Sequence, residues 1–180
     1  NSLTGLSHYC NTPKIPKKIV RVDQDASNPT DKIMPELDFT THLTHDFTHQ
    51  QLTDVLTDLA AAYPEMTELH EIGKSHRGRS VWLIEIHNPE TGPADTKPGY
   101  YIDANIHAEE ISGTSVVLYT AWTLLSQYGK DQLVTRLVDE QVFYLVPRVN
   151  PDGAEIVQTM PFYEWIGNGR YLPGEEQFGP

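Results

Sequence analysis

The spacing of apolar and polar positions divides the chain into an irregular opening, a long patterned middle and a fading end. In residues 1–46 no helical or strand period lasts, because Pro13, Pro16, Pro29 and Pro35 interrupt each run. This predicts an extended N-terminal segment lying on the surface of the part that follows. From residue 47 the pattern becomes regular. Phe47, Thr48, Gln51 and Leu52 stand where a hydrophobic staple and a capping box require them. Leu52, Val55, Leu56, Leu59 and Tyr63 then follow a helical stripe that Pro64 ends.

"TELHEIG" and "SVWLIEIHN" read as strands, and the short connection "KSHRGR" predicts an antiparallel hairpin. A proline-rich loop leads to "YYIDANI", which reads as a central strand buried on both faces. "SGTSVVLYTAWTLLSQYG" reads as a helix closed by Gly129, "DQLVTRLVDE" as a short helix, and "QVFYLVPRV" as a buried strand stopped by the turn "NPDG". A strand, a crossover helix and a second strand make a βαβ unit, so those two strands are expected to be parallel. Combined with the hairpin, this gives a mixed sheet with helices on its faces. After Gly153 the composition, ending in "GNGRYLPGEEQFGP", is that of a loop.

Composition narrows the function. At 180 residues the chain is long enough for one domain with a sizeable core. With 38% apolar and 21% charged residues it is balanced like an ordinary globular protein. A net charge of −12 repels a phosphate backbone and argues against nucleic acid as a partner. The basic run "PKIPKKIVR" reads as a solvated arm. Cys10 is the only cysteine, so an internal disulfide and a cysteine-based zinc site are both excluded. No apolar run approaches the ~20 residues that span a bilayer. The first residues lack a signal-peptide pattern, but the chain begins with Asn, which leaves a removed leader and the compartment open.

The chemistry concentrates in one spacing, His-x-x-Glu, which occurs twice. "HNPE" (His87, Glu90) runs into a proline-rich loop, where Pro89 restricts its neighbour and removes a donor. "HAEE" (His107 to Glu110) sits at the C-terminal end of a strand just before a helix, where open α/β sheets bind ligands. An imidazole nitrogen and a carboxylate oxygen are both good zinc ligands. The competing reading is a strand-end histidine beside glutamates that favour a helix N-terminus. His42, His45 and His49 would share a face if all were helical, but the capping box starts the helix at Thr48 and leaves the first two outside it. His70 and His76 flank the hairpin turn with no evident partner. There is no His-Glu-x-x-His motif, no Gly-x-Ser-x-Gly elbow and no phosphate loop.

Three pieces occur together in order. "AAYPEMTELHEIGKSHRGRSVWLIEI", "DANIHAEE" and "VPRVNPDGAE" resemble the opening helix and hairpin, the first metal motif and the Asn-Pro-Asp-Gly turn of the zinc carboxypeptidase family, carboxypeptidase A-like and of the funnelin type. The resemblance covers roughly residues 45–160. It implies a three-layer α/β/α fold around a mixed, mainly parallel sheet, with residues 47–180 forming the N-terminal part of a catalytic domain. It implies one zinc ion, with His107 and Glu110 as two of its three protein ligands. Strand alternation alone would have put Glu109 on the face of His107; the family motif selects Glu110. "GNGR" is a looser match to the region that supplies an arginine to the substrate carbonyl, making Arg170 a candidate for that role, against an ordinary surface arginine. The implied reaction is hydrolysis of a C-terminal peptide bond in a peptide substrate.

Two departures accompany the resemblance. Glu109 stands where digestive members often carry a substrate-contacting arginine, which inverts the local charge. No histidine follows His107, and Glu155, Glu164, Glu175 and Glu176 come too early to match the family's general base. The expectation is the first half of a catalytic domain, inactive by itself. A non-catalytic peptide- or metal-binding module and a deacylase-type amidohydrolase are the alternatives.

Overall fold

A computed structural model describes residues 46–159 of the chain; everything expected of residues 1–45 and 160–180 lies outside them. Thr48 opens the first helix, α1 (His49–Ala62), as its spacing to Gln51 predicts. The Gln51 amide donates to Thr48 Oγ1 at 3.2 Å, and the Thr48 amide donates to Gln51 Oε1 at 2.9 Å. Leu52, Val55, Leu56 and Leu59 are buried, with Phe47 packed at the entry. Tyr63 caps the end, and Pro64 cannot continue the helix.

β1 (Thr67–Lys74) and β2 (Ser80–Ile86) form the expected antiparallel hairpin, with His70 opposite Leu83 and Glu68 opposite Glu85. Gly78, at φ 81°, supplies the left-handed residue in its turn. Two single 3-10 turns, Pro89–Thr91 and Ala94–Thr96, lead to β3 (Gly99–Asp103). α2 (Ile111–Ser126), α3 (Gln132–Glu140) and β4 (Val142–Val146) follow. β3 and β4 pair in parallel, Tyr100 opposite Phe143, as a βαβ unit requires. β4 also pairs antiparallel with β2, giving the order β1-β2-β4-β3. The α/β class and the mixed sheet are as expected, although among the described strands two of the three pairings are antiparallel.

One face of the sheet carries the core. Ile84, Ile86, Phe143 and Leu145 meet the buried leucines of α1, Val117, Leu118 and Leu125 of α2, and Val138 of α3. Alternation puts Glu68, His70, Glu85 and Tyr144 on the other face. No described helix is long and apolar enough to cross a membrane.

Three expectations are corrected. β3 is not a strand buried on both faces: among the described residues it bonds only β4, and Tyr100 and Tyr101 are exposed. Its aromatic run satisfies β-propensity without burial, because a tyrosine tolerates water at its hydroxyl end. α2 ends at Ser126, and Gly129, at φ 75°, shapes the turn beyond it rather than the helix end itself. "NPDG" is a helix start rather than a terminating turn, since it leads into α4 (Pro151–Thr159). Asn150 Oδ1 accepts from the Gly153 amide at 3.0 Å, and Pro151 occupies the first helical position, where its missing N–H costs nothing.

Candidate metal centre

The segment after β3 is fixed before it reaches its histidine. The Ala104 amide donates to Val146 O, and Val149 and Asn150 amides donate back to Ala104 O and Asn105 O, all within 3.0–3.1 Å. Asn105 then takes φ 55°, the only positive value at a described non-glycine residue. Asparagine accepts this left-handed geometry more readily than other side chains. Its buried Nδ2 donates to His107 O at 2.8 Å and Ala108 O at 3.3 Å, while its Oδ1 accepts from Thr114 Oγ1 at 3.4 Å. Asn150 Nδ2 donates to Ile106 O at 3.2 Å. Ala108 is fully buried and packs with Ile156 and Val157 of α4. The cap of α4 and the strand-end loop therefore hold each other.

From this base His107 and Glu110 point outward side by side. His107 Nδ1 lies 3.0 Å from Glu110 Oε1, and the His107 amide donates to Glu110 Oε2 at 3.2 Å. The chain turns at this point, with the Glu110 amide bonded to His107 O at 3.3 Å and Glu110 immediately preceding α2. Glu110, rather than Glu109, faces the ring. The hydrogen bond and charge of Glu110 raise the His107 pKa, with a further push from Glu109, and the same bond with His107 lowers that of Glu110. Both side chains are exposed, at 65% and 50%. The donor set suits zinc, which an imidazole nitrogen and a carboxylate oxygen would both hold. Among the described residues no group of three or more His, Cys, Asp or Glu is arranged to hold a metal. Within the described residues the pair therefore stands as two donors and no more.

The other histidines are placed elsewhere. His87 faces Glu85, with Nε2 3.6 Å from Oε1, and not Glu90. His70, which the sequence left without a partner, lies 3.6 Å from Glu68 and 3.7 Å from Glu85. His49 is the first residue of α1, and its amide donates to Glu155. His42, His45 and Arg170 lie outside the described residues.

Two further residues hold this region: Asp152, within the Asn150–Gly153 run that the resemblance marks as structural, and Arg148, which escaped sequence reasoning. Asp152, buried in α4, accepts from Ser75 Oγ at 2.8 Å, the Arg77 amide at 2.9 Å and Arg79 Nη1 at 2.8 Å, pinning the β1–β2 turn to α4. Burial pushes its pKa up, but the Arg77 amide, Arg79 and Ser75 outweigh this and leave it below 3.8. Arg148, fully buried after β4, donates through Nη2 to Phe47 O at 2.7 Å and through Nε to Thr114 Oγ1 at 3.3 Å. Burial pushes it down to about 10 against the pull of Glu155 and Asp46, so it stays charged at neutral pH. A charge two residues before an Asn-Pro-Asp-Gly run was the one available signal for Arg148.

A family model for zinc carboxypeptidases matches residues 52–175. Carboxypeptidase M of Mus musculus is 34% identical over 139 residues, covering 77% of this chain and 30% of that protein. Metallocarboxypeptidase A of Trichophyton tonsurans is 37% identical over 111 residues, covering 62% of this chain and 26% of that protein. The crystal structure of thrombin activatable fibrinolysis inhibitor superposes with a TM-score of 0.61 at 22% identity, covering 67% of this chain and 29% of that one. That likeness speaks for the fold. The chain spans less than a third of the length of each of these three proteins.

Proposed function

The chain belongs to the zinc carboxypeptidase family, and on that premise we propose that it is part of a metallocarboxypeptidase in which His107 and Glu110 hold one zinc ion. The observation that carries this reading is the pair itself. An imidazole and a carboxylate stand 3.0 Å apart, exposed, on a loop fixed by buried bonds, in the order in which the family motif places its ligands. When bound, the ion supplies Lewis acidity for hydrolysis of a C-terminal peptide bond.

What the chain's own residues do is hold and orient. Asn105 fixes the carbonyls that flank the histidine, and Asn150 ties the loop to the cap of α4. Such backbone preorganisation limits the positions that the two candidate ligands can take. Glu109 adds negative charge beside the pair, in keeping with its action on His107. Arg170 is the candidate to stabilise a developing oxyanion. The 180-residue chain has no histidine after His107 to serve as a third ligand. By itself it is expected to bind zinc weakly and to be inactive.

The test is product analysis with the full-length protein. Zinc-loaded enzyme should release single C-terminal residues from a mixed peptide library, and a chelator should stop the release. Cleavage only at internal bonds, or only of acylated amino acids, would contradict a carboxypeptidase reading.

A further inference from the structure

The sheet face away from the helices carries a polar cluster that the metal centre does not use. Glu85 of β2 presents one carboxylate oxygen to each of two imidazoles. Its Oε2 lies 3.7 Å from His70 Nε2, and its Oε1 lies 3.6 Å from His87 Nε2. All three side chains are nearly covered, at 13%, 11% and 12% exposure.

The two histidines differ in how their rings are engaged. His87 Nδ1 faces the Lys97 ammonium at 3.5 Å. An ammonium can only donate, so Nδ1 is the acceptor in this contact and Nε2 is the nitrogen left facing Glu85. His70 has no such arrangement: among the described residues neither buried ring nitrogen has a partner within hydrogen-bond distance, and the carboxylates of Glu68 and Glu85 stand just beyond it, at 3.6 and 3.7 Å from Nε2. A buried unpaired imidazole is costly, and a proton on Nε2 converts its contact with Glu85 into an ion pair.

We propose that His70, Glu85 and His87 form a proton-operated clamp, in which a proton on His70 adds an ion pair across the β1–β2 hairpin and its loss leaves a buried, unpaired ring. The charged and titratable groups facing His70 are Glu68 from its own strand and Glu85 from β2. Beyond them, His87 follows β2, Lys97 precedes β3, and Tyr144 of β4 feels Glu85 and Asp95. The nearest groups are acidic and favour the charged ring. The Glu85 carboxylate, with a smaller push from Glu68, raises the His70 pKa above 6.5, against the opposing effect of burial. The added stability is therefore complete below pH 6.5 and disappears as pH rises through the higher folded value. The hairpin tightens on mild acidification.

The test compares thermal unfolding of the full chain with that of His70→Gln. Between about pH 6 and pH 8.5 the Tm of the wild type should fall about 2–4 °C further than that of His70→Gln. Ring titration of His70 by NMR in the wild-type protein needs no variant and should give a midpoint above 6.5. Parallel melting profiles for wild type and His70→Gln, or a His70 midpoint at or below 6.5, would overturn the clamp.

Discussion

At the scale of single residues, the candidate centre depends on Asn105 as much as on the two side chains that would touch metal. Asn105 combines φ 55° with hydrogen bonds to the carbonyls of His107 and Ala108. Asn105→Ala should lose about 2–3 kcal/mol, part from left-handed strain and part from carbonyls left unpaired. Asn105→Gly keeps the backbone freedom and should recover about 1 kcal/mol of that loss. Urea unfolding of both variants measures the difference, and equal stabilities would contradict a role for the dihedral. That His107 and Glu110 stand side by side was legible only through the family motif, since strand alternation alone favours Glu109. Asn105 was not, because its role rests on a backbone angle and on Asn150, which is remote in sequence.

At the scale of elements, the sequence placed α1, the hairpin, α3 and the parallel β3–β4 pair, each marked by a short-range period or cap. It missed α4. Asn, Pro, Asp and Gly favour turns and helix starts for overlapping physical reasons, and only the Asn150–Gly153 bond decides between them. That helix start then carries Asp152, which joins α4 to the β1–β2 turn through three hydrogen bonds. Asp152→Ala should cost roughly 1–3 kcal/mol, since it removes three hydrogen bonds while the part-exposed Arg79 guanidinium can turn to water. The folded pKa of Asp152 is depressed, so its contribution is present above 3.8 and is lost as pH falls through the lower folded value. Acid titration of stability should show that loss in wild type and not in Asp152→Asn. Identical acid profiles would remove Asp152 from the account.

At the scale of the whole molecule, one side of the described sheet is open. β3 has a single partner, and Tyr100, Tyr101 and Ile106, with Val116 and Tyr119 of α2, expose large apolar surface. An aromatic run such as "YYIDANI" has the same pattern at a sheet centre and at an edge, which is why the sequence misjudged its burial. Open edges beside apolar surface promote strand pairing between molecules. The 180-residue chain should therefore associate with rising concentration in sedimentation experiments, and Tyr101→Lys should reduce this. Concentration-independent monomers in the unsubstituted chain would contradict it. The central claim, that His107 and Glu110 hold zinc, is tested most directly by zinc content after dialysis against buffered zinc. Full-length wild type should retain one ion per chain, and His107→Ala and Glu110→Ala should each retain far less. Equal zinc in wild type and His107→Ala would contradict the assignment.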